Sequence, residues 1–185
     1  MLKTLYPKFQ HWSDGGGVYI ISDPHFEDDD CQIMNSEWPT PQEYVDKINA
    51  KVKTCDTIIC LGDVGNPEWF NKLKSGYKVL ITGNHDKGAS TYEPYFDEVY
   101  NGPLFISDKI LLSHEPIDIP FAYNIHGHCH TYPQDKWNML NVVADCANFD
   151  AINLKDIIKK GRLKEIKNIH RMAIDYQTEN SLLDN

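Results

Sequence analysis

Hydrophobic residues gather into short runs along the chain. VYIIS at 18–22, TIICL at 57–61, KVLIT at 78–82, KILLS at 109–113 and NVVA at 141–144 are β-branched or aliphatic, which predicts mostly buried strands. Between the first two runs the spacing changes to a helical one. Tyr44, Ile48 and Val52 recur every four positions and put one apolar stripe on a helix. Its start is marked by Thr40 as N-cap, Pro41 in the first turn and Glu43 closing a capping box. A second helix is predicted to begin at Pro67, after Asn66, and to stop at Gly76. The order β-α-β-α-β lays helices over a sheet. From about residue 98 the segments shorten, with turns at Asn101-Gly102, Ser107-Asp108 and Pro116 to Pro120, and predict a second, more antiparallel sheet. Ile152, Leu154, Ile157 and Ile158 precede a Lys-rich, weakly periodic stretch, read as a helical tail from about residue 151 with a frayed end. No repeat or linker composition divides the chain, so residues 1–185 are expected to form one domain.

Composition sets outer bounds on this picture. The hydrophobic share of 41% and charged share of 24% are those of a globular domain, and 185 residues can bury a core without disulfides. The apolar runs are far shorter than the roughly 20 residues of a membrane helix, so no span is expected. The opening MLKTLYPKFQHW carries lysines but neither an apolar segment nor a small-residue cleavage site, so a cytoplasmic protein is expected. Five cysteines, Cys31, Cys55, Cys60, Cys129 and Cys146, are scattered and never form a CxxC pair, against both a disulfide framework and a zinc ribbon. A net charge of −9 disfavours general nucleic-acid binding, which depends on Lys and Arg displacing counterions.

The ends of the apolar runs carry the chemistry. VYIIS leads into Asp23-Pro24-His25, TIICL into Gly62-Asp63, KVLIT into Gly83-Asn84-His85-Asp86, KILLS into His114, and AYNI into His126-Gly127-His128-Cys129-His130. A single Asp or His after a strand is usually a turn or cap residue. Five such blocks in succession, where α/β sheets open their ligand crevice, point instead to a shared site. Imidazole and carboxylate ligands without clustered thiolates suit Mn, Fe, Zn or Ni. A two-metal hydrolase needs a shared ligand holding its ions about 3.5–4 Å apart, and Asp63 is the candidate. Two divalent ions against the carboxylates of Asp23 and Asp63 leave a local charge of about +2, enough to attract a phosphate to an acidic protein.

The series D-x-H, G-D, G-N-H-D, H, G-H-x-H, each block behind a strand, resembles the calcineurin-like metallophosphoesterase superfamily over residues 18–130. The resemblance implies an α/β fold, a four-layer αββα sandwich of two mixed β-sheets flanked by helices. It implies two divalent metal ions, with Mn expected and Fe, Zn or Ni as alternatives. Asp23, His25 and His130 would hold one, Asn84, His114 and His128 the other, and Asp63 would bridge. A metal-bridging hydroxide would attack phosphorus in line, with His85 as general acid and Asp86 orienting its imidazole. His126, on the strand side of its block, is read as structural.

Departures from family patterns narrow the reading. Purple acid phosphatases carry a tyrosine three residues after the bridging Asp, where this chain has Asn66. Protein Ser/Thr phosphatases place an arginine four residues after it and read G-N-H-E, where this chain has Pro67 and Asp86. The 28 residues between His85 and His114, and the 13 between His114 and His128, leave little room for a capping domain. The sizeable FEDDDCQIMNSEWP connection is either a solvated loop or a flexible lip over the site, whose Glu27 to Asp30 would repel long polyanions. Gly15-Gly16-Gly17 precedes a strand rather than a helix and reads as a flexible turn, not a phosphate cradle. Trp12, Trp69 and Trp137 read as core or rim packing, since no basic stripe accompanies them.

The expected function is metal-dependent hydrolysis of a small or exposed phosphoester, diester or monoester. A nuclease is the nearest alternative, with nucleic acid entering only as substrate. A non-catalytic interaction module is the other, because the family includes a retromer subunit that kept the fold for protein binding. Such a scaffold has lost the general acid that His85 supplies here.

Overall fold

The computed structural model describes residues 1–130, 136–160, 163–167 and 176. Among the described residues, nine strands form two sheets. The first has the order β4-β3-β2-β1-β9, from Val18–Ile21 (β1), Thr57–Cys60 (β2), Tyr77–Ile81 (β3), Glu98–Tyr100 (β4) and Ile152–Asn153 (β9). The second has the order β5-β6-β7-β8, from Leu104–Phe105 (β5), Ile110–Leu112 (β6), Tyr123–His126 (β7) and Met139–Asn141 (β8). Both are mixed: β9 alone is antiparallel in the first and β5 alone in the second. The second sheet is therefore mainly parallel, not antiparallel as its short, turn-rich connections suggest, and Glu98–Tyr100 belongs to the first sheet.

Strand alternation explains the layering. Ile20, Ile59, Val79 and Ile81 face the second sheet and pack with Ile110, Leu112, Tyr123 and Ile125. Ile21, Ile58, Cys60 and Leu80 point the other way, into a cluster with Tyr44, Val45, Ile48 and Phe70 from the outer helices. Residues alternating in this way along a strand serve opposite faces, so near-continuous apolar runs supply two cores at once. The result is an α/β sandwich of two mixed sheets with flanking helices.

The helix Pro41–Lys51 (α2) has both capping-box bonds, the Thr40 side chain accepting from the Glu43 amide and the Glu43 carboxylate from the Thr40 amide. It follows a single turn, Cys31–Met34 (α1), and precedes Leu154–Lys160 (α3). The second expected helix is a shorter 3₁₀ helix, Pro67–Lys72. The Asn49 side chain of α2 takes the Lys72 carbonyl (2.9 Å) and the Lys74 amide (2.7 Å), groups that a longer helix would have used itself. Likewise β8 ends before Val142, because the Asn141 side chain accepts from the Val143 amide at 3.0 Å. The glycine turn is tethered rather than free, since Gly17 donates to Asp56 Oδ1 at 2.7 Å. Trp12 is buried, Trp69 packs against the outer core, and Trp137 is 46% exposed. Most of the expected C-terminal tail lies outside the described residues.

Parallel register places the site. Ile21 pairs with Cys60, Cys60 with Leu80, and Leu112 with Ile125, so the carboxyl ends of β1, β2, β3, β6 and β7 release their loops at the same edge of the sandwich.

Candidate metal centre

Four of the loop residues at this edge hold left-handed backbone: Asp23 (φ 53°), His25 (43°), Asp63 (50°) and His128 (67°). For a side-chain-bearing residue this costs about 1–3 kcal/mol and persists only where the surroundings enforce it, commonly at functional sites. Here the loops are laced together. The Asp23 amide donates to Gly62 O at 3.0 Å, His25 to Asp63 O at 3.0 Å, and Phe26 to Val64 O at 3.1 Å. The glycines of the motifs are required by close approach. A Cβ on Gly83 would stand 2.2 Å from Asp63 Oδ1, and one on Gly127 2.1 Å from Asp23 Oδ2.

Asp86 does something other than orient His85. Its Oδ2 accepts from the amides of Asp63 (2.9 Å) and Gly83 (2.8 Å), and its Oδ1 from the Val64 amide (3.0 Å) and the Tyr92 hydroxyl (2.9 Å). Backbone donors of the Asp63 loop thus claim the carboxylate, and Asp86 braces that loop. His85 is exposed at the mouth of the site, with its amide donating to Asp63 Oδ1 at 3.0 Å.

The side chains converge in two groups. Asp23, His25 and His130 bring one ligand atom each to within 4.8 Å of one another, and Asp63, His114 and His128 do the same. Asp63 Oδ2 stands between the groups, 3.8 Å from His25 Nε2 and 3.4 Å from His114 Nε2. Asn84 joins the second group, its Oδ1 2.7 Å from His114 Nε2 and 3.0 Å from His128 Nδ1. His126 joins neither and stays fully buried in β7.

This donor set fits a cation. His114 Nδ1 sits 2.8 Å from the Leu61 carbonyl and carries its proton toward it, which in the neutral ring leaves Nε2 as a lone pair facing the Asn84 oxygen. A cation held between these two acceptors would satisfy both. His130 Nδ1 sits 3.1 Å from Asp145 Oδ1, while its buried Nε2 has no hydrogen-bond partner among the described residues and lies 3.6 Å from Asp23 Oδ1. Asp23 itself is 0% exposed. Burial pushes its carboxyl up, against the opposing pull of His114, the Ser22 hydroxyl, the His128 amide and His130. Burial also works to lower His130, but the Asp145 hydrogen bond and the charges of Asp23, Asp145 and Asp63 outweigh it and raise that imidazole. The rise at His130, caused by the surrounding carboxylates, marks a pocket that stabilises positive charge, whereas the rise at Asp23 records its burial.

Two residues without any sequence signal complete the setting. Asp145 supports His130, and Asp28 Oδ2 lies 3.1 Å from His25 Nδ1, so each imidazole has a carboxylate behind it, the arrangement that fixes the tautomer of a metal ligand. Trp38 walls both rings, 6.3 Å from His25 and 5.7 Å from His130. The start of the acidic connection is tied to the Pro67–Lys72 turn: Glu27 accepts from Asn66 (2.7 Å) and Trp69 (2.9 Å), which also hold its pKa below the usual carboxylate range.

The family model described as calcineurin-like phosphoesterase matches residues 17–177. The chain belongs to this family. Among solved structures, a protein of unknown function from Aquifex aeolicus, AQ665, is 26% identical with a TM-score of 0.64, over 77% of this chain and 98% of that one. The nuclease MPE of Pseudomonas putida is 21% identical with a TM-score of 0.43, over 61% of each chain. A single mutant of Vps29 from Entamoeba histolytica is 19% identical with a TM-score of 0.41, over 67% of this chain and 72% of that one. Comparison with curated proteins gives no match. Among the described residues, no helix of this calcineurin-like phosphoesterase is long and apolar enough to cross a membrane.

Proposed function

We propose that the chain is a metal-dependent phosphoester hydrolase that uses two divalent ions. The observation that carries this reading is the pair of ligand groups meeting at one oxygen, Asp63 Oδ2. Asp23, His25 and His130 would hold one ion, Asn84, His114 and His128 the other, with Asp63 shared. The nitrogen and oxygen ligands suit Mn, Fe, Zn or Ni, and Mn is the first expectation because of the family resemblance. Such ions would supply Lewis acidity, neutralising the phosphate and activating water as the nucleophile.

The protein's own groups do the rest. A water oxygen forms the new bond to phosphorus and gives up a proton to solvent, the opposite ester bond breaks, and the departing oxygen takes a proton from His85. His85 suits that task because it stands exposed at the mouth, beside the buried ligands, with its backbone tied to Asp63. Asp28 and Asp145 hold the rings of His25 and His130 in the orientation that aims Nε2 inward. Asp28, Asp29 and Asp30 on the rim disfavour a long polyanion, which favours a small or exposed phosphoester over DNA or RNA.

The test is hydrolysis of p-nitrophenyl phosphate esters by protein stripped with a chelator and reloaded with Mn, Fe, Zn or Ni. Activity should vanish on stripping and return on reloading. Hydrolysis that survives complete metal removal, or protein that binds metal yet cleaves no phosphoester, would sink the reading.

A further inference from the structure

Consecutive residues of one loop serve opposite sides of the centre. Asn84 reaches the His114 and His128 side, while the His85 ring stands 5.9 Å from the His25 ring. Each side opens into its own depression. The one at His25 and His85 measures about 690 Å³ and is walled by Asn66, Lys87 and Asp28. The one at Asn84 and His114 measures about 260 Å³ and is walled by Pro103, Glu115 and Ile117. Among the described residues none lines both, and each depression abuts a different ligand group.

We propose that this two-sided site is built for a phosphodiester. The leaving alcohol occupies the depression at His85, and the substituent that stays on phosphorus occupies the one at Pro103 and Ile117. The inference rests on the hydrolase reading above and adds the substrate class. Three observations argue for it. First, the general acid candidate lines only the larger depression, which assigns the departing oxygen to that side. Second, the smaller depression falls below the roughly 300–1,000 Å³ of a pocket that holds a whole small molecule, so its size suits one substituent. Third, among the described residues Lys87 is the only Lys or Arg lining either depression, against the carboxylates of Glu27, Asp28, Asp29, Asp30 and Glu115. A diester carries one negative charge, whereas a monoester carries about 1.5–2 at pH 7. The two ions attract either ester, and against that common attraction an acidic rim with one cation penalises the monoester's second charge and weighs toward the diester.

The same wall chemistry sorts retained substituents. Pro103 and Ile117 offer apolar surface and Glu115 an acceptor, so an aryl or sugar-like group fits and a further phosphate does not. In the reaction the water oxygen bonds to phosphorus and releases a proton to solvent, the bond to the leaving alcohol breaks, that oxygen takes the His85 proton, and His85 regains one from solvent. The product is the monoester of the retained substituent.

The test compares three substrates that release the same p-nitrophenolate: bis(p-nitrophenyl) phosphate, methyl p-nitrophenyl phosphate and p-nitrophenyl phosphate. Their second substituents are an aryl ring, a methyl group and none. With the Mn-loaded protein, kcat/KM should favour the aryl diester over the monoester by about tenfold or more. Filling the smaller depression with Ile117→Trp should lower the aryl-diester to monoester ratio by about tenfold, mainly through KM, and barely move the methyl-diester to monoester ratio. Pro103→Trp, at an exposed position, gives a second variant that decides the matter should Ile117→Trp lower the melting temperature. A wild-type preference for the monoester, or equal losses on all three substrates, would overturn the proposal. Monoesterase activity alone would leave the hydrolase reading standing, whereas inactivity on all three with metal bound would remove that reading too.

Discussion

Replacing Asp86 by Asn separates bracing from catalysis. The carboxylate accepts four hydrogen bonds, from the amides of Asp63, Gly83 and Val64 and from the Tyr92 hydroxyl. An Asn amide turned toward Val64 and Tyr92 keeps the pair on the other oxygen, and the Tyr92 hydroxyl can reverse to accept. The Val64 amide then faces a donor and loses its bond outright. A hydrogen bond to a charged group contributes about 1.5–3 kcal/mol and a neutral one about 0.5–1.5. One lost bond and three weakened by about 1–1.5 kcal/mol each sum to about 4.5–7.5 kcal/mol, and water and local relaxation recover about half of this at a half-buried side chain. The expected cost is about 2–4 kcal/mol, a fall in melting temperature of about 5–15 °C for a chain of this size. Because the Asp63 loop loosens, metal affinity should fall as well. Calorimetric melting and isothermal metal titration of Asp86→Asn read both effects. An unchanged melting temperature and metal affinity, with turnover alone reduced, would refute the bracing role and return Asp86 to His85.

Three further outcomes follow from other parts of the structure. His85→Ala should keep wild-type metal content and melting temperature yet lose turnover by about a hundredfold on an alkyl ester, whose departing oxygen needs the proton, as steady-state kinetics would read. Asp145→Asn should weaken metal binding by about 10–100-fold through the His130 ring, measured by competition with a chelating dye. Glu98 tests the pH dependence of stability. Burial works to raise its pKa, but hydrogen bonds from Tyr100, Trp12, His11 and Tyr77 outweigh it and hold the carboxyl below the usual glutamate range. A lowered folded-state pKa contributes stability that is present above the unfolded pKa and lost as pH falls through the folded one. The stability difference between wild type and Glu98→Gln should therefore be full at neutral pH and shrink as pH drops below about 4, as urea titrations across pH would record.

What could be read from the sequence was local grammar. Thr40, Pro41 and Glu43 announce α2, and the strand-end blocks announce a shared edge, because caps and strand ends are specified within a few residues. What could not be read depends on distant partners. Asn49 cuts short the helix after Pro67 from another element. Parallel pairing of β6 with β7 contradicts the rule that parallel strands need long crossovers, since only residues 113–122 connect them. Asp28, Asp145 and the bracing carboxylate of Asp86 act through contacts that no spacing encodes. The motif marks residue types, and the folded chain decides which of them face inward.

The central claim is a two-ion centre joined at Asp63, and counting ions tests it most directly. Chelator-stripped protein titrated with Mn should take up two ions per chain, and Asp63→Asn should retain fewer than two and lose hydrolysis. Wild-type uptake and activity in Asp63→Asn, or a single ion per chain in the wild type, would contradict the account.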